Sequence, residues 1–151
     1  MKEVIRRLRS YQTVDGSFSY WPGGTAPNAW GTVYAIHFLL EAEKKGYLVP
    51  EGMKWNALND LSRIARNWKP EASYSAESEE MTQAYRLFVL ALGQVAEVGA
   101  MNRLKESKTL MSMSRYLLAA GYALVGRPDV SKELVVKTTA LTTACSGYDQ
   151  T

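Results

Sequence analysis

The sequence has few of the residues that bind metals or form covalent bonds. It contains one cysteine, Cys145, and one histidine, His37, in 151 residues. One cysteine cannot form an internal disulfide, and one cysteine with one histidine cannot supply the ligand set of a zinc site. The four aspartates stand far apart, so they form no aspartate-rich metal motif. We therefore predict neither a metal nor a cofactor.

Long apolar runs and one-sided charge are also absent. No run approaches the ~20 residues that cross a bilayer, and Met1 is followed by a polar, arginine-rich segment rather than a signal peptide. The net charge is only +3, and basic residues are scattered among acids except at Arg6, Arg7 and Arg9. Because a nucleic-acid surface needs a basic face with stacking aromatics, we predict no nucleic-acid partner and no membrane span.

Helix-forming residues dominate the remaining composition, and their spacing predicts an all-α fold. Three predicted helices are apolar on almost every side, at 29–45, 81–99 and 113–124. Shorter or amphipathic helices are predicted around them, at 2–12, 50–68, 101–106 and 129–137. The last residues, 138–151, are rich in threonine and are predicted to form a polar, disordered tail.

The alternation of these two kinds of helix predicts two layers. A helix that is apolar all round is covered on several sides, whereas an amphipathic helix is covered on one side. An α/α toroid has this arrangement, and the chain is long enough for a partial ring of about six to seven helices over residues 1–137. A four-helix bundle is the structural alternative. The three apolar helices lead to Gly46, Gly99 and Gly126, which are suited to helix ends.

A loop rich in glycine, proline and aromatic residues separates the first two predicted helices. The stretch from Gln12 to Phe18 reads Gln-Thr-Val-Asp-Gly-Ser-Phe. It resembles the Gln-x-x-Asp-Gly-x-Phe loop of thioester domains in alpha-2-macroglobulins and complement components. Related loops occur in terpenoid cyclases and protein prenyltransferase β-subunits, which share the α/α toroid, so the loop alone indicates the superfamily.

The segments that follow are similar to one family within it. Trp30 and Thr32 match that family's Trp-x-Thr-Ala-Tyr/Phe helix, with Val33 in place of the usual alanine. Residues 83–85 and 101–104 are also similar to bacterial members. The chain thus resembles, over most of its length, the thioester domain of bacterial alpha-2-macroglobulins. The resemblance implies a protease-trapping inhibitor rather than an enzyme, in a periplasmic, cell-surface or secreted location.

The chemistry of that family needs a Cys-x-Glu-Gln motif, in which the cysteine and glutamine side chains form an internal thioester. The only cysteine here is followed by Ser146, Gly147 and Tyr148, so the motif is absent from this sequence. In the family the motif precedes the Gln-x-x-Asp-Gly loop. We therefore interpret the chain as a scaffold fragment downstream of the thioester. Its implied partners are the other domains of the parent and, through the parent, target proteases; exposed inner helices could also make it self-associate.

Four aromatic residues in and after the loop are the candidates for a functional surface: Phe18, Tyr20, Trp21 and Trp30. The resemblance implies a hydrophobic lid that keeps water from a thioester. The alternative is that each ring anchors the loop to its own core.

The other candidates for catalytic groups are one histidine and a cluster of three glutamates. His37 has no nucleophile partner in the sequence and is expected to be a hydrogen-bonded structural histidine. Glu77, Glu79 and Glu80 could form a glycosidase pair, but acids in the first turn of a helix more often stabilise its dipole. A free-standing α/α domain that binds or hydrolyses sugar or peptide stays open as the alternative function.

Overall fold

The computed structural model describes residues 1–70, 75–108 and 110–146, with side chains up to residue 140. Within these ranges the chain forms seven α-helices and one short 3-10 helix. They are α1 (Lys2–Leu8), the 3-10 helix (Arg9–Tyr11), α2 (Ala29–Lys44), α3 (Glu51–Asn67), α4 (Ala76–Leu92), α5 (Val98–Lys105), α6 (Ser112–Leu124) and α7 (Pro128–Ser146).

The helices are arranged in two layers. In the inner layer α4 lies between α2 and α6. The last helix, α7, packs against α6. In the outer layer α3 packs across α2 and α4, while α5 packs against α3, α4 and α6. The core lies between the layers, and its most deeply buried large side chains are Ile36, Leu39, Leu61, Leu87, Leu90, Met101, Leu118 and Tyr122. The predicted all-α, two-layered fold is therefore confirmed.

The ends of α2 show how local sequence sets the helix bounds. The Asn28 side chain accepts a hydrogen bond from the backbone N–H of Gly31 at 2.6 Å, which satisfies an otherwise unpaired donor of the first turn. At the other end Gly46 adopts a φ of +83°, which glycine reaches without steric cost. α2 therefore ends at Lys44, one residue before the predicted end.

Two predicted helix ends are wrong. α4 ends at Leu92 rather than near Gly99, because the chain turns at Gly93 and Gln94, and Gly99 lies inside α5. The last helix was predicted to end near Lys137, but α7 continues to Ser146. Thr138 is fully buried, and its hydroxyl donates to the Leu134 carbonyl oxygen at 2.8 Å. Residues 138–146 thus continue the helix, and 147–151 lie outside the described residues.

Among the residues that the structure describes, no helix is both long enough and apolar enough to cross a membrane.

Candidate functional site

The loop between the 3-10 helix and α2 is fastened to α3 by its first motif residue. Gln12 donates two side-chain hydrogen bonds, to the carbonyl oxygens of Gly16 at 3.1 Å and of Met53 at 2.9 Å. Gly16 has a φ of +105°, and a β-carbon built there would lie 2.3 Å from the carbonyl oxygen of Asn56. The loop therefore approaches α3 more closely than a residue with a side chain would permit.

The middle of the loop is held by buried polar contacts. Ser17 donates from its hydroxyl to Asp60 of α3 at 2.5 Å, and the other carboxylate oxygen of Asp60 accepts from Arg63. The Thr32 hydroxyl of α2 accepts from the backbone N–H of Phe18 at 2.9 Å and donates to the Phe18 carbonyl oxygen at 3.1 Å. The residues that carry the family resemblance are thus mostly those that join the loop to α2 and α3.

Buried polar side chains on α4 also serve the fold. Gln83 donates to the carbonyl oxygen of Ala65 in α3 at 3.0 Å, and its amide oxygen accepts from Arg86. Burial lowers the pKa of Arg86 to about 10, while the nearby carboxylate of Asp60 acts in the opposite direction. The sequence marks Gln83 only through the family resemblance of residues 83–85 and carries no signal for Arg86, because their helix reads as apolar on every side.

The structure separates the four aromatic residues predicted to form a functional surface. Phe18 is 2% exposed and belongs to the core, so its ring anchors the loop to the core. Tyr20 and Trp21 are 69% and 70% exposed at the loop tip, with ring centroids 4.9 Å apart in an edge-to-face arrangement. Trp30 is 45% exposed in the first turn of α2. Their role as a lid stays a prediction.

Trp30 belongs to an aromatic cluster that joins α2 to α4. Its ring centroid lies 5.1 Å from that of Tyr85 on α4, and the Tyr85 hydroxyl lies 2.8 Å from Nδ1 of His37. The His37 ring also meets Phe88 edge to face, with centroids 5.7 Å apart. Burial, followed by the neighbouring Tyr34, raises the pKa of Tyr85 above its ordinary value. His37 is thus a hydrogen-bonded structural residue, as expected.

Apolar side chains of the inner layer remain open to solvent. On α2 these are Trp30 and Tyr34, and on α6 they are Met113 and Tyr116. Tyr34 is 64% exposed and Met113 is 56% exposed, although both stand in helices that are apolar on most sides. We call these four residues the inner face. Its exposure departs from the burial that apolar helices predict.

The three glutamates at the start of α4 lie in different surroundings. Glu77 is exposed and Glu79 is half-buried in the first turn of α4, where their charge complements the helix dipole. Glu80 is buried and accepts from the backbone N–H of Met111 at 2.9 Å, immediately before α6 begins. In the described part of the chain, no three His, Cys, Asp or Glu residues come together as a metal site.

The comparisons with known proteins agree with this architecture. No family model matches the chain. It is 30% identical over 132 residues to the alpha-2-macroglobulin of Xylella fastidiosa, which is 83% of this chain and 8% of that protein. Its fold is similar to native Escherichia coli alpha-2-macroglobulin from domain MG7 to the C-terminus, with TM-score 0.79, 23% identity, and coverage of 91% of this chain and 22% of that one.

A second structure has the same helices in another functional state. Escherichia coli alpha-2-macroglobulin activated by porcine elastase matches with TM-score 0.80 and 23% identity, covering 91% of this chain and 13% of that one. The layered helices therefore define a partial ring of the α/α toroid type. The chain belongs to the bacterial alpha-2-macroglobulin family, and it spans about 8% of the length of the relative it matches in sequence.

Proposed function

We propose that this chain is the scaffold part of a thioester domain in a protease-trapping macroglobulin, and that it has no enzymatic activity of its own. The observation that carries the proposal is the inner face, where Trp30, Tyr34, Met113 and Tyr116 are exposed on otherwise apolar helices. Further helices of a complete ring would cover these side chains and bury their apolar area. The remaining domains of the parent are then the first partners of this segment.

The exposed aromatic residues have a place in that proposal. In the intact domain a strained thioester must be kept from water until a protease cleaves the parent. Trp30 supplies exposed aromatic surface for such a lid, and the loop pair Tyr20 and Trp21 supplies a separate contact surface. Phe18 would hold the loop in position from the core side.

Protease capture and location concern the parent protein, and similarity to alpha-2-macroglobulins supports proposing both. Escherichia coli alpha-2-macroglobulin, whose fold is similar to that of this chain, is activated by porcine elastase. We propose that the parent of this chain likewise meets target proteases, in the periplasm, at the cell surface or after secretion. The segment's own part would be to hold the helices on which the thioester half of the domain rests.

An antibody raised against this chain tests the proposal in cells that carry the gene. Blots of periplasmic and secreted fractions are expected to show a band far larger than the 16.8 kDa of this chain. Added elastase should convert part of that band to a covalent adduct, and prior methylamine treatment should prevent it. The isolated chain should show no mass increase with methylamine, because it has no Cys-x-Glu-Gln motif.

Other outcomes of that experiment would contradict the proposal. A band only at the size of this chain would favour the free-standing binding or hydrolase domain. If the parent is large but forms no covalent adduct with elastase, protease trapping is contradicted and the scaffold role is not. The two parts of the proposal can therefore fail separately.

Self-association of the isolated chain gives a second test. Because the inner face is apolar and uncovered, we expect sedimentation velocity to show dimers whose fraction rises with concentration. Tyr34→Glu places a charge at the centre of that face and should weaken association about tenfold or more. Tyr47→Glu, at an exposed aromatic just past α2, is the matched control and should leave the dimer fraction unchanged. A wild-type chain that stays monomeric at high concentration would contradict this prediction.

A further inference from the structure

The net positive charge of the chain is concentrated at one place. Of the 18 basic residues, four lie in positions 1–9, and of the 15 acidic residues only Glu3 lies there. The rest of the chain therefore holds fourteen basic and fourteen acidic residues and is neutral overall. The four basic residues of this segment are all exposed: Lys2, Arg6, Arg7 and Arg9. Arg6 is paired with Glu3 at 2.7 Å, an exposed pair that leaves the others free to attract anions.

The most exposed aromatic pair is fastened to the end of this same segment. Backbone hydrogen bonds join Ser19 to the Tyr11 carbonyl oxygen at 2.8 Å and Gly23 to the Ser10 carbonyl oxygen at 2.7 Å. The Trp21 carbonyl oxygen accepts from the Ser19 hydroxyl at 2.6 Å. The backbone on both sides of the tip is therefore tied to the residues that directly follow Arg9. The two rings are held beside the cationic segment before any partner binds.

We propose that this cationic aromatic tip, formed by Arg7, Arg9, Tyr20 and Trp21, docks on the surface of an anionic lipid bilayer. Tryptophan and tyrosine rings favour the headgroup region, where an apolar ring and a polar tip are both accommodated. Arginines near an anionic leaflet add attraction that salt screens. This docking is peripheral, and it does not depend on protease trapping or on the inner face.

A bilayer suits the shape of this tip better than an acidic protein does. Tyr20 and Trp21 each leave about 70% of their surface open and stand out from the loop. A protein partner would need a matching pocket for the rings and fixed carboxylates for the arginines. A fluid interface accepts protruding rings and mobile cations without such a match. An acidic protein partner is therefore an alternative outcome of the test.

Vesicle co-sedimentation tests the proposal with the whole chain. Binding is expected to vesicles containing phosphatidylglycerol but not to pure phosphatidylcholine, and it should fall as salt rises. The paired change Arg7→Gln and Arg9→Gln should weaken binding about 25-fold, at about fivefold for each charge. Trp21→Ala should weaken it roughly tenfold, because the ring no longer enters the interface.

Matched control variants test whether vesicle binding depends on the cationic aromatic tip in particular. Trp55→Ala removes a 53% exposed tryptophan from α3, and Lys45→Gln with Lys132→Gln removes two exposed charges elsewhere. Both controls should bind anionic vesicles like the wild type, and circular dichroism should confirm that every variant is folded. Absence of wild-type binding to anionic vesicles would overturn the proposal. Control variants that lose as much vesicle affinity as the tip variants would overturn it too. Retention on a polyglutamate resin without vesicle binding would assign the tip to an acidic protein and also overturn it.

Discussion

Gly16→Ala is expected to lower the free energy of unfolding by about 2–5 kcal/mol. This is the sum of the cost of a left-handed backbone at alanine and the cost of a steric clash. The new β-carbon would lie 2.3 Å from the Asn56 carbonyl oxygen and 3.1 Å from the Ala57 backbone nitrogen. Both contacts are with the backbone of α3, which cannot rotate aside as a side chain can. The loop or α3 must therefore shift. Urea denaturation followed by circular dichroism measures the loss.

Gly46→Ala is the matched control for this prediction. Gly46 also has a positive φ, of +83°, but no atom lies within 4 Å of the added β-carbon. Its substitution should therefore show only the backbone term, about 1–2 kcal/mol. The difference between the two variants isolates the close approach of the loop to α3. Equal losses at the two sites would mean that this approach contributes nothing to stability.

The loop residues that carry the family resemblance have structural contacts rather than a visible catalytic role. Gln12, Gly16, Phe18 and Thr32 carry much of the family resemblance, and each joins the loop to a helix. None of them points to a reacting group in the described part of the chain. The resemblance therefore identifies the fold directly, while the function of the whole protein has to be tested on the parent. A loop of this kind can be retained because it positions neighbouring helices.

Periodicity predicted the layers because it reflects burial directly. α3 alternates apolar and charged faces and lies in the outer layer, while α2 and α4 read as apolar all round and lie in the inner layer. The end of α4 could not be found in this way. Val95 continues the apolar pattern past Leu92, yet the chain turns at Gln94, which has a φ of +62°. A left-handed glutamine has no clear sequence signal, whereas Gly46 and Gly126 do.

The candidate site was less predictable than the fold, because the exposure of a side chain depends on which other helices pack against its own helix. Tyr34 reads as a core residue of an apolar helix, but 64% of its surface is open. Tyr85 forms the centre of the aromatic cluster through contacts with Trp30 and His37, which are separated from it by about 50 residues of sequence. No local pattern could pair these side chains. The hydrogen bond from Gln83 to the Ala65 carbonyl oxygen was missed for the same reason, since Ala65 lies on α3. The Asp60 carboxylate that acts on Arg86 also lies on α3.

Phe18→Ala is expected to destabilise the fold by about 3–5 kcal/mol, the range for removing a buried aromatic ring. Phe18 is 2% exposed within the core, and its backbone is held at both ends by the Thr32 hydroxyl. The surrounding side chains cannot fully collapse into the space left, because the loop is fixed to α2 and α3. Urea denaturation would measure the loss as a lower midpoint with an unchanged slope.

Tyr20→Ala and Trp21→Ala provide the comparison within the same loop. Both rings are mostly exposed, so each variant should stay within about 0.5 kcal/mol of the wild type. This contrast would separate the residue that anchors the loop from those available for contact with a partner. A loss at Trp21 as large as that at Phe18 would show that the loop tip is part of the core, and the docking of the tip would then be untenable.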